Sequence, residues 1–215
     1  MTFRIITIVV YILSSIWVFR LVKRNNLSIK DFSNYFWNSL KVSWKDMFKL
    51  KSMSLNDNLQ TIRSFVLLIT LLEFKVMAIT GFLTIIFTGV HLTGLLLLIH
   101  VTVAPLISIS FAVLVILYAH TNRFDNSDLS YIKEIEAKRG TLNISGQLKL
   151  IFWSIAVLSI PAMLSIILGM FPLFGTEGQK NLLEVHRYSV LMISVLVIFY
   201  IGLLSVNNKQ ILNNK

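Results

Sequence analysis

The stretch "GVHLTGLLLLIHVTVAP", residues 89 to 105, decides how this chain is read. It carries two histidines nine positions apart in a run apolar enough to live in lipid. An imidazole in hydrocarbon is costly, so an intramembrane histidine is by default a functional candidate.

The composition puts that run in a membrane. The chain has 215 residues, 55% of them hydrophobic and 14% charged. Its mean hydropathy is +0.75. This is too apolar for an ordinary soluble domain and indicates a polytopic membrane protein. There is no cysteine. Disulfides, thiolate-held iron–sulfur clusters and a haem attached through C-x-x-C-H are thereby excluded. Any cofactor is held non-covalently, through His, Met or carboxylate.

Five stretches reach the roughly 20 residues that a helix needs to cross a bilayer. The first is "IITIVVYILSSIWVFRLV", 5–22. Its charge cluster comes after the apolar run and no small-x-small cleavage site appears, so it reads as an uncleaved anchor. The others are span A (64–89), span B (91–119), span C (150–171) and span D (178–204). The expected class is an all-α integral membrane protein: a four-helix transmembrane bundle preceded by an N-terminal transmembrane anchor. The chain then divides into the anchor at 1–22, a basic interfacial segment at 23–62 and the four-helix domain at 63–215. Within the middle region, residues 28–60 mix Lys with Phe32, Phe36, Trp37, Leu40, Trp44, Phe48 and Leu50. Basic and aromatic residues at helical spacing suit an amphipathic segment lying on the membrane surface.

The net charge of +10 is unevenly distributed. Sixteen basic residues fall at 20–63, at 121–149 and after 205, against Arg4, Lys180 and Arg187 on the other side. The bias places the N-terminus outside and the C-terminus in the cytoplasm of a plasma (inner) membrane. The charge then faces anionic lipid rather than nucleic acid.

A short internal echo links "GFLTIIFTGVHLTGLLLLIH" (81–100) to "GMFPLFGTEGQKNLLEVH" (169–186). Both run from Gly through Phe and Gly to a Leu-Leu-x-(Ile/Val)-His ending. Spans A–B and C–D thus read as two copies of one hairpin.

Helical phase separates the histidines. Successive helical residues advance by about 100°, so His91 and His120 share one face of span B and His100 takes the opposite one. His91 and His120 also fall at the two ends of B, in reach of interfacial water. The face of His100 carries Thr93, Leu97, Ala104, Ile107 and Phe111. In span D, "TEGQ" fits a capping box with Thr176 as cap and Gln179 bonding back, which puts His186 about ten residues in. Counted from residue 91, His100 lies about nine residues, or ~13 Å, inside B. Two histidines at one level on parallel helices suit bis-imidazole haem ligation in a helix bundle. Alone, each also reads as a polar packing residue. Zinc fits less well: it prefers four ligands, and Glu184 is the carboxylate near His186.

"HLTGLLLLIHVTVAP" together with "GMFPLFGTEGQKNLLEVHRYSVL" resembles the four-helix b-type cytochromes. These are the membrane haem subunits related to those of formate dehydrogenases and nickel–iron hydrogenases. The resemblance covers roughly 63–204. It implies at most the electron-transfer subunit of a respiratory oxidoreductase complex. Such a subunit joins the quinone pool to other subunits, among them a periplasmic cytochrome c or iron–sulfur protein. By position it implies His100 and His186 as axial ligands of haem b and Arg187 beside a propionate. Relatives with two haems place the second ligand about fourteen residues from the first. Those positions here are Leu114 and Tyr200, so one haem per chain is expected. His91 and His120 are the secondary candidates, His120 for a second, cytoplasmic-side haem.

Span A contains "LLEFKVM", with Glu73 and Lys75 deep in an apolar stretch. Two positions apart on a helix, they do not face each other, and each needs a partner elsewhere. One reading is a structural ion pair across the bundle; another makes Glu73 a proton carrier at a quinone site. A haem-free structural or assembly subunit and a transporter are the competing functions. The transporter reading lacks paired interrupted helices framing a central site.

Overall fold

The computed structural model describes residues 2–25, 27, 55–89, 92–125, 128, 143–171 and 173–213. The surface segment read at 28–60 lies outside these residues up to position 54, as do His91 and most of the B–C linker.

The elements are α1 (Thr2–Arg24), α2 (Leu55–Ala78), a π-helical segment (Ile79–Leu83), α3 (Thr84–Thr88), α4 (Gly94–Ala119), α5 (Ile144–Gly169) and α6 (Gly175–Asn213). No strand occurs among the described residues. Five helical stretches among them are long and apolar enough to cross a membrane: Thr2–Arg24, Leu59–Thr88, Gly94–Ala119, Ile144–Gly169 and Gly175–Asn207. The chain is an all-α, multi-pass membrane protein, with the five spans expected.

Several boundaries moved, each for a local reason. Span A closes at Thr88 because Gly89 takes φ 69° and its N–H bonds the Ile85 carbonyl at 3.1 Å. A left-handed turn of this kind is strained for any residue with a Cβ. Span C begins six residues earlier than expected. Asn143 caps α5 by accepting from the Ser145 N–H at 3.0 Å, so the helix starts well before the apolar run. The capping box expected at Thr176 is corrected. The chain turns at Gly175, φ 61°, and the helix is already under way there. Thr176 therefore lies inside the first turn. Glu177 acts there instead, pairing with Lys180 one turn on at 2.9 Å.

The described chain falls into two compact units. In the first, which includes α1 up to Val9, α2 and the π segment pack against α4. In the second, α5 packs along α6. The remainder of α1 belongs to this second unit and docks on α6. The Tyr11 hydroxyl donates to Ser194 Oγ at 2.9 Å, and the Trp17 and Phe199 rings lie 4.4 Å apart. Farther along, Gly202 lets Val18 and Leu21 close in: a Cβ built there would stand 3.3 Å from Val18 and 3.6 Å from Leu21. The N-terminal helix is thus packed into a unit and not an isolated tether.

Each unit therefore contains one A–B or C–D hairpin. In α4 the packed face runs through His100, Ala104, Ile107, Phe111 and Leu114. Leu95, Leu98, Ile109 and Ile116 are 60–74% exposed. Such apolar surface on a spanning helix suits lipid contact.

Candidate functional site

His100 sits on α4 and is half-buried. Its Nδ1 lies 2.8 Å from the Thr80 hydroxyl, and Thr80, in the π segment, is itself buried. Thr80 Oγ1 is also 2.9 Å from the Val76 carbonyl and 3.2 Å from that of Met77. A hydroxyl has one proton and two lone pairs. With the proton on the helix carbonyls, the oxygen accepts from Nδ1–H of His100, and all the groups are satisfied. The imidazole then keeps its lone pair on Nε2. The π segment adds a residue to one turn and so rotates the helix beyond it, a distortion often found at functional sites. Beside it, Gly81 leaves room for the ring, for a Cβ there would stand 3.4 Å from His100 Cε1.

His186, on α6, repeats the arrangement in the other unit. Its Nδ1 lies 2.8 Å from the carbonyl of buried Ala162 on α5. A carbonyl can only accept, so Nδ1 carries the proton and Nε2 keeps the lone pair. The same carbonyl accepts from Ser165 Oγ at 3.2 Å. Ala162 and Ser165 are small enough to bring α5 close under the histidine. The sequence echo thus has a physical counterpart. In each hairpin, the histidine of the second helix is anchored through Nδ1 on the first.

Counted from the helix starts, the two histidines differ. His100 comes six residues after the start of α4 at Gly94, whereas His186 comes eleven after Gly175. At 1.5 Å per residue these are about 9 and 17 Å. Span B begins later because the turn after Gly89 delays it. The two histidines share their anchoring, not their distance from a helix start.

Arg187 pairs on its own helix with Glu184, Nη1 to Oε1 at 2.6 Å, and is 18% exposed. His120 is the exposed C-cap of α4, in keeping with its place opposite His100. His91 lies outside the described residues. Leu114 is buried on the His100 side of α4, where it offers no ligating atom, and Tyr200 is half-buried on α6. Glu73 is met across the helix pair by Ser110, whose hydroxyl donates to Oε2. Its partner is thus a neutral group of α4, while Lys75 is exposed. Among the described residues, no three His, Asp or Glu side chains converge as a metal cluster would require.

Sequence reasoning missed Thr80, Ala162 and Ser110. The one available signal was Gly81, which opens the echo and proves to sit beside the His100 ring. Comparison with family models, curated proteins and solved structures returns no match to this chain.

Proposed function

We propose that this protein is a membrane-embedded electron-transfer subunit that holds one haem b, with His100 and His186 as its axial ligands. It would relay electrons between the quinone pool and a periplasmic, haem-containing partner within a respiratory complex. The observation that carries this reading is the paired Nδ1 anchoring, on Thr80 and on Ala162. Metal-ligating histidines almost always spend one ring nitrogen in this way, which fixes the tautomer and raises the basicity of the other nitrogen. Both residues therefore fit axial ligation.

When bound, haem b supplies one-electron redox chemistry. The chain's own residues do the rest. Thr80 and Ala162 orient the two imidazoles. Arg187 offers a cation to a propionate, shared with Glu184. Glu73, hydrogen-bonded by Ser110, is the membrane carboxyl available to exchange a proton with quinol. The basic bias of the sequence supports an N-terminus outside a plasma membrane.

The same hydrogen bonds also satisfy both imidazoles without iron, which favours a haem-free structural or assembly subunit as the second reading. Colour separates the two. The subunit isolated from haem-replete cells should show reversible reduced-minus-oxidised bands and one haem per chain by pyridine haemochrome. A colourless protein would overturn the first reading. Two haems per chain would restore His120 as a ligand.

A further inference from the structure

Among the described residues, a single buried side-chain nitrogen or oxygen is without a hydrogen-bond partner: Nε of Arg63, near the start of the Leu59–Thr88 span. Leaving a buried donor unpaired is costly, more so on a charged group. No carboxylate among the described residues pairs with this guanidinium. Its neighbour is an aromatic face, the Tyr118 ring of α4, with Cζ 6.0 Å from the centroid. That is the outer limit of a cation–π contact; Nε is shielded, so the two Nη groups are the donors a ligand would meet.

The surroundings say what would complete it. Leu59, one turn back on the Arg63 side of α2, and Ile62 beside it are 40% and 48% exposed. A guanidinium fork bordered by exposed apolar side chains at the end of a membrane span matches a molecule with an anionic head and hydrocarbon tails. We propose that Arg63, over Tyr118, is a binding site for the phosphate of an anionic phospholipid, whose acyl chains run along Leu59 and Ile62. Arginine suits this role because its planar fork meets two phosphate oxygens at once, and anionic leaflets attract basic segments next to spans. A soluble phosphate would use the same fork but would gain nothing from the apolar border.

The test uses the full chain in a zwitterionic detergent. Thermal unfolding is measured with added phosphatidylglycerol, phosphatidylcholine or inorganic phosphate, and retained lipid is counted by native mass spectrometry. Phosphatidylglycerol should raise the midpoint beyond phosphatidylcholine, and inorganic phosphate should leave it unchanged. Arg63→Gln should remove the extra rise and weaken retention about tenfold, the weight of one charge-assisted hydrogen bond. Arg63→Lys should keep part of it, and exposed Arg20→Gln all of it. Equal stabilisation by the two lipids, an equal rise with inorganic phosphate, or full retention in Arg63→Gln would each overturn the proposal. The wild-type comparison alone decides the matter if the glutamine variant does not fold.

Discussion

The imidazole Nδ1 of His186 donates to the Ala162 carbonyl of the preceding helix at 2.8 Å. This bond leaves one nitrogen, Nε2, for any further chemistry. The acceptor is a backbone carbonyl, so no side-chain substitution at Ala162 can delete it. A bulkier residue there would instead push the helices apart.

The first prediction concerns the histidines themselves. His100→Ala or His186→Ala should release the haem or leave it high-spin, read from the optical spectrum and from electron paramagnetic resonance. His120→Ala should leave both unchanged, because that side chain is exposed at the end of α4. His91→Ala should do the same. Bleaching by His91→Ala with an intact spectrum in His100→Ala would refute the helical-phase argument.

Thr80 should tune the site without ligating. Thr80→Val keeps the shape but removes the acceptor for His100 Nδ1–H. The ligand becomes less basic and ferric iron loses stabilisation, so the midpoint potential should rise. Haem retention should weaken by roughly tenfold or more, the usual weight of such a partner. Thr80→Ser should restore both values. An unchanged potential in Thr80→Val would mean that the bond is packing alone.

Topology is open to labelling. Tags at the N-terminus and in the 172–178 loop should be reached from the periplasm, and tags near 130 and 215 from the cytoplasm. The reason is the basic bias of sixteen to three. Protection of the 172–178 tag in intact cells, with labelling near 130, would invert the orientation.

Docking of α1 on α6 should depend on Gly202. Its Cβ position is 3.3 Å from Val18, so Gly202→Leu overpacks the contact. The cost should be on the order of 1–3 kcal/mol. Tyr11→Phe removes the bond to Ser194 and should cost about 1 kcal/mol. Thermal unfolding in detergent measures both. An unchanged midpoint in Gly202→Leu would show that the two helices separate at no cost.

The five spans and the later part of the packed face of α4 were legible in the sequence because each depends on one helix at a time, whereas Thr93 and Leu97, expected on that face, are exposed. Apolar length marks a span, and 100° per residue marks a face. His100 against His120 is such a case: half a turn of phase separates them, and the structure leaves one half-buried and the other exposed. Helix ends were less legible. The left-handed glycines at 89 and 175 and the Asn143 cap act on backbone geometry, which apolar counting does not sense. The turn at Gly89 delays the start of the helix that carries His100. The partners were the least legible. Thr80 and His100 are 20 positions apart, Ala162 and His186 are 24, Glu73 and Ser110 are 37, and Tyr11 and Ser194 are 183. Such pairs depend on the rotation and offset of one helix against another. The π segment at Ile79–Leu83 changes that rotation by a single residue and leaves no periodic trace in the chain. The sequence by itself therefore determined that there are spans and that His100, rather than His120, lies on the packed face. The tertiary structure decided which group holds Nδ1 of each histidine, because a tautomer is set by the group across the helix interface.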